Sequence, residues 1–382
     1  MASLPPAMSS TVNDSIQAGA SQHITFVCGT PHGGALDSTV ALAQCARDAG
    51  HPTTVVVAAS DPYSTDRRLN AALVRLSRWS APLAHSAWRI YERRHRRATR
   101  DEVSHFTVLR ATDVVAVARS VHPAGGLVVV NSVRRLDLKR LIELAQAMSS
   151  GVVWYLREAT SLVSVAELGP LVDVLLANSV PLAAEASRLA GRACEYVPSV
   201  ISVDDLVEPT ERRSLLLVNA VASYGLDEAI EIARRRPNDH VVLQESWPLE
   251  ASDLASLRER TQALPNVEFR HRTERSAIYR DARIMLLPHA ANVVGLNRPR
   301  VALEAQHLGV PVIAYNTPGL AAVVASDRCI VENDGIDGWV TAIDRIDGDY
   351  GRSVAEARSF AAQELPTNEV IWHRFAVVAG LD

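Results

Sequence analysis

The chain has 382 residues, 48% of them hydrophobic and 21% charged, with a formal net charge of −4. It is too long for one small core and fits two globular domains of ordinary size. The weak net charge excludes any global attraction to nucleic acid or an anionic membrane. Cys28, Cys45, Cys194 and Cys329 are scattered, with neither metal nor C-x-x-C spacing, which points to reduced thiols and a cytoplasmic setting.

Residues 1–20, rich in Ser, Ala and Pro, read as a disordered tail and not as a signal peptide. His23–Cys28 is a buried strand, followed by a turn holding Gly33 and Gly34 and a helix through Ala49. Thr53–Ala59 is the next strand. Strand, glycine turn and helix open a Rossmann-like domain, and the helix N-terminus offers free N–H groups to a ligand. A turn with no ligand is the plain alternative. Asp66–Trp79 and Leu83–Thr99 read as helices. The second carries Arg89, Arg93, Arg94, Arg96 and Arg97 interleaved with Trp88, Ile90 and Tyr91. The stretch 88–100 is either a weak membrane-surface contact or a solvated arginine face.

Alternation resumes with strand Leu127–Asn131, helix Leu136–Met148 and strand Val152–Leu156. Arg157 and Glu158 follow at the carboxyl end of that strand, where α/β proteins keep their chemistry. A self-contained ion pair is the alternative. Val172–Ala177 is a strand, and Asn178-Ser179 caps the next helix. The first domain closes at 201. Ser202–Arg213 is a charged, turn-rich linker. The second domain, 214–350, begins with strand Ser214–Val218, loop Asn219–Gly225 and helix Leu226–Arg235. Strand His240–Gln244, helix Asp253–Ala263, strand Val267–Phe269 and a short helix at Ser276–Arg280 follow.

Ile284–Leu287 is a buried strand closed by Pro288 and His289. Arg300–Leu308 puts Val301, Ala302, Ala305 and Leu308 on one helical face, with Pro299 before it and Gly309 after it. Val310–Tyr315 is another strand, and Thr317-Pro318-Gly319 turns into a further helix. This βαβ unit opens its loops at the carboxyl ends of the strands. Glu304 interrupts the apolar run LEAQ. A carboxylate there needs a fixed partner, either a ligand hydroxyl or an arginine of the same chain. Cys329–Val331 is a last strand and Ile336–Ile346 a helix. The tail 351–382 is helical.

The pattern G-L-x-x-P-R-V-x-L-E-A-x-x-x-G-x-P-V-I-A ending at a glycine turn resembles the donor site of GT-B glycosyltransferases of the retaining, family-4 type. So does the segment D-V-L-L-A-N-S with Y-V-P-S-V-I downstream. The resemblance implies an α/β GT-B architecture, with two Rossmann-like domains facing each other across a cleft. It implies a nucleotide-sugar donor held chiefly by the second domain, with Glu304 on the ribose and the backbone around Thr317, Gly319 and Leu320 facing the phosphates. Gly33 and Gly34, with Arg157 and Glu158, fall on the acceptor side of the cleft. It also implies that residues 351–382 cross back onto the first domain, and that transfer proceeds with retention and no metal or other cofactor.

Three family features are missing. The first acid of the E-x7-E pair falls at Leu296. The loop Asn219–Gly225, where the family keeps an Arg and a Lys for the diphosphate, has no basic residue, and Tyr224 stands at the Lys position. Lys139 is the chain's single lysine and lies in the other domain. Arg298 and Arg300, beside the donor loop, are the expected replacements, with surface or ion-pair arginines as the alternative. His289 is either a ligand contact or structural. The expected function is transfer of a sugar to an unidentified acceptor. The alternatives are a catalytically silent GT-B protein acting as a binding or regulatory partner, and a sugar-nucleotide epimerase of the same fold.

Overall fold

The computed structural model describes residues 21–59, 98–249, 251–289, 295–332 and 335–381. Its first sheet holds β1 (Ile24–Cys28), β2 (Thr53–Ala58), β3 (Ala98–Val103), β4 (Phe106–Ala111), β5 (Leu127–Asn131), β6 (Gly151–Leu156), β7 (Val174–Ala177) and β8 (Glu195–Tyr196). They run in the order β3-β4-β2-β1-β5-β6-β7-β8. All neighbours are parallel except the β3–β4 hairpin at the edge. A parallel sheet must be covered on both faces, so its strands read as continuous apolar runs. Their alternate residues go to different cores. Val27, Val130 and Trp154 pack with helices Val114–Val121 and Arg135–Ala147. Phe26, Val129 and Tyr155 pack with helix Gly34–Asp48.

The second sheet holds β9 (Ser214–Val218), β10 (His240–Gln244), β11 (Val267–Arg270), β12 (Ala282–Leu287), β13 (Val312–Tyr315) and β14 (Ile330–Val331), in the order β11-β10-β9-β12-β13-β14. Every pairing is parallel. This is the doubly wound order, in which ligands bind outside the carboxyl ends of the strands at the point where the order reverses. Helix Tyr350–Glu364 lies along helix Arg300–His307. Helix Asn368–Ala379 returns to the first domain, where Ile371 and Phe375 join the core beneath helix Gly34–Asp48. Among the described residues, no helix is long and apolar enough to cross a membrane.

Residues 98 and 99 differ from the sequence reading. Ala98 and Thr99, expected at the end of a helix, begin β3, in register with Ala111 and Arg110 of β4. The edge pairing and a tight turn through Ser104 and His105, with φ of 48° and 62°, override helical propensity there. Arg100 lies in this strand. The rest of 88–100 lies outside the described residues, as do Asp66–Trp79 and residues 1–20.

Candidate functional site: the interdomain cleft

The loops after β1 and β6 of the first domain and after β9 and β12 of the second open onto one cleft of about 750 Å³. Its first-domain wall includes Gly33, Gly34, Asp37, Arg157, Glu158, Asn178 and Ser199. Gly33, at φ 82°, starts helix Gly34–Asp48 without a side-chain cap. The helix therefore presents first-turn N–H groups that have no intrahelical acceptor. Arg157 directly follows β6 and is 6% exposed. Its Nη1 donates to Ser199 Oγ at 2.8 Å, and its guanidinium lies 4.3 Å from the centre of the Tyr155 ring. Nε and Nη2 are buried with no hydrogen-bond partner. Burial pushes the Arg157 pKa down from its ordinary value. Arg157 and Glu158 do not form the self-contained pair that their adjacency allows. Arg157 bonds Ser199, while Glu158 accepts from Thr160 Oγ1 at 3.3 Å.

The second-domain wall includes Asn219, Tyr224, Trp247, His289, Arg298, Arg300 and Glu304. Asn219 has φ of 68° and a buried Oδ1 without a partner. Tyr224 meets His289 edge-on at 4.5 Å between ring centres and Trp247 at 5.3 Å. The turn behind Tyr224 is locked, because a Cβ on Gly225 would come within 2.3 Å of the Pro288 ring. An aromatic side chain thus occupies the loop where the family pattern has cations. His289 is 1% exposed, with neither ring nitrogen bonded. Burial lowers its pKa to about 3, so its ring is neutral at physiological pH.

Glu304 is 1% exposed and enclosed by groups of this chain. Its Oε1 accepts from Arg275 Nη2 at 3.0 Å and lies 2.7 Å from Arg300 Nε, while Oε2 accepts from the Tyr279 hydroxyl at 2.7 Å. Burial alone would raise this carboxyl, but Arg300, Arg275 and the Tyr279 bond outweigh it and hold the pKa below the ordinary value. Of the two partners that sequence allowed, the structure displays the arginine. Arg300 also reaches across the cleft, where Nη2 donates to Asp37 Oδ2 at 2.7 Å. Arg298 Nη2 donates to the Glu364 carboxylate at 2.9 Å and to its carbonyl at 3.0 Å. Both expected phosphate ligands are therefore already ion-paired.

Thr317, Gly319 and Leu320, expected to face the donor phosphates, are not among the residues that line the cleft. The Gly319 N–H donates to Gly295 O at 2.7 Å. A Cβ on Gly319 would sit 2.4 Å from Asn297 O, so the turn is packed behind the loop 295–297. The Thr317 hydroxyl caps Leu320 N, and Leu320 is in the core. The same loop is tied to the first domain: Asn297 Oδ1 accepts from Ala159 N at 2.8 Å, and Ser179 Oγ donates to Leu296 O at 2.5 Å. Sequence reasoning missed Asp37, Arg275, Tyr279 and Asn297. Asp37 and Arg300 are 263 residues apart, and nothing local pairs them.

Residues 225–349 match the family model described as glycosyl transferases group 1. No curated protein matches the chain. Among solved structures, S. aureus TarM aligns with a TM-score of 0.67 at 9% identity, over 94% of this chain and 99% of TarM. Anabaena HepE, solved in complex with UDP-glucose, aligns with a TM-score of 0.67 at 13% identity, over 94% of this chain and 99% of HepE. The pneumococcal O-GlcNAc transferase GtfA, solved with UDP and GlcNAc, aligns with a TM-score of 0.60 at 10% identity, over 94% of this chain and 99% of GtfA. The chain thus has the GT-B fold of these glycosyltransferases, and its residues 225–349 are similar to the glycosyl transferases group 1 family.

Proposed function

We propose that this protein is a hexosyltransferase that binds a nucleotide-sugar in the interdomain cleft and passes the sugar to an acceptor entering on the first-domain side past Glu158. One observation carries the reading: buried polar groups without partners converge on the cleft from both domains. Arg157 and Asn178 come from one wall, and Asn219 and His289 from the other. Unsatisfied buried groups cost stability and are kept where a ligand completes them. The cleft volume suits a ligand of nucleotide-sugar size. The UDP-sugar complex of HepE and the UDP complex of GtfA, on the same fold, support a nucleotide-sugar as that ligand.

Transfer is read as retaining and metal-independent, with the protein positioning donor and acceptor and stabilising charge through fixed donors. The test is a thermal-shift panel of UDP-, GDP- and dTDP-sugars, followed by product analysis for each compound that stabilises the protein. The expected result is a raised melting temperature with one nucleotide class and a glycosidic product of unchanged anomeric configuration. Activity that EDTA abolishes and magnesium or manganese restores would overturn metal independence. A panel in which no nucleotide shifts the melting temperature would make this a silent GT-B protein.

A further inference from the structure

We infer that Arg157, of the first domain, is the cation that grips the donor's diphosphate, in place of the second-domain loop. This rests on the nucleotide-sugar reading above. A diphosphate held without metal needs charged donors, and guanidinium groups suit it because their fork grips two oxygens. The loop 219–225 offers none, and Tyr224 fills its end against His289. Arg275, Arg298 and Arg300 line the cleft but are bonded to Glu304, Glu364 and Asp37. Arg272 lines it too, but is exposed.

Arg157 differs from all of these. It is buried, has no carboxylate partner among the described residues, and carries two donor nitrogens with no acceptor. A buried cation in that state is unfavourable until an anion arrives. The N-terminus of helix Gly34–Asp48 opens on the same cleft, uncapped by any side chain. Helix N–H groups and one guanidinium would then share the phosphate oxygens. The neutral groups Ser199 and Asn178 beside Arg157 add hydrogen-bonding capacity without competing charge.

The experiment compares the full-length protein with Arg157→Gln and Arg157→Lys, titrated with uridine, UMP and UDP, or with the corresponding series for the base that the panel selects. Wild type should bind the diphosphate much more tightly than the nucleoside. Arg157→Gln should lose roughly ten- to a hundredfold in diphosphate affinity, leave nucleoside affinity unchanged, and keep or raise the melting temperature of the ligand-free protein. Arg157→Lys should recover part of the diphosphate affinity. If the protein binds diphosphates and Arg157→Gln binds them equally well, this assignment falls and the function stands. If Arg157→Gln instead lowers the ligand-free melting temperature by many degrees, Arg157 is structural and the assignment also falls. If wild type binds no nucleoside diphosphate, the functional reading and this inference fall together.

Discussion

The two walls of the cleft handle buried charge in opposite ways. On the second-domain side, Glu304, Arg275, Arg300 and Tyr279 form a closed network that continues to Asp37. On the first-domain side, the bonded partners of Arg157 among the described residues are a neutral hydroxyl and an aromatic face. Paired buried charges hold a structure in one arrangement, and losing one partner is costly. An unpaired buried charge weakens the fold and marks a candidate binding group. The sequence ranks Glu304 as the donor contact and puts Arg157 on the acceptor side. The geometry makes Glu304 first a structural hub.

The comparison is broken most severely by removing the hub. Glu304→Ala takes the buried carboxylate away from two guanidinium groups and the Tyr279 hydroxyl, leaving Arg300 only Asp37 and Arg275 only the more exposed Asp205 as ion-pair partners. It should cost about 3–5 kcal/mol of stability, read as the midpoint of urea unfolding. It should also weaken nucleotide binding by roughly an order of magnitude. A variant with wild-type stability but lost nucleotide affinity would make Glu304 a ligand contact and not a hub.

Acid separates buried groups by their signs. Burial holds His122 at about 4 and His289 at about 3, both below their ordinary 6.5. The unfolded chain therefore takes up protons that the folded chain refuses once pH falls below about 6.5. Stability should be level above that pH and decline toward pH 4. Glu304 is also depressed, so its contribution is intact above the ordinary carboxyl value and is lost only at lower pH. Melting temperature against pH should accordingly fall in two stages. His289→Phe, which keeps the ring contact with Tyr224, should flatten the first stage. An unchanged slope would show that His289 does not refuse protons in the folded state.

Much of this frame was legible in the sequence. Leu127–Asn131, Ser214–Val218 and His240–Gln244 stand in the structure at the boundaries read from apolar runs, because strands buried on both faces leave no other pattern. The oddity of Glu304 was legible for the same reason. The hairpin 98–111 was not, because its turn uses Ser104 and His105 at positive φ where glycine or asparagine would have signalled it. Nor was the fate of the arginines. Whether Arg298, Arg300 or Arg157 is free depends on carboxylates brought in by the fold: Glu364 and Asp37 reach the first two, and among the described residues none bonds the third. The turn at Thr317–Gly319 carries the right residues, yet it faces the loop 295–297 because both belong to one packed βαβ unit.

A smaller change sharpens the picture of the hub. Tyr279 is fully buried, and its hydroxyl donates to Glu304 Oε2. Tyr279→Phe leaves that oxygen without this donor while keeping the ring packed. The expected cost is about 1–3 kcal/mol, with nucleotide affinity changed less than by Glu304→Ala. Thermal unfolding of the two variants side by side reads the ratio. Equal costs would mean that the tyrosine bond, and not the arginines, carries the network.

The smallest effect concerns the strut between the walls. Arg300 is tied to Glu304 within its own domain and to Asp37 across the cleft, and the Asp37 side chain is 35% exposed. A half-exposed pair is screened by water, so Asp37→Ala should cost only about 0.5–1 kcal/mol. Its consequence should appear in the cleft and not in the fold. Without Asp37, the Arg300 guanidinium keeps Glu304 but loses its anchor on the first domain, and the first turn of helix Gly34–Asp48 loses a negative charge. An anion at that N-terminus then meets less repulsion. Nucleoside diphosphate affinity should therefore rise modestly in Asp37→Ala, and the gain should shrink as salt screens the charges. If affinity falls instead, the strut holds the walls at the spacing that the ligand needs, and Asp37 belongs with Glu304 among the groups that shape the site.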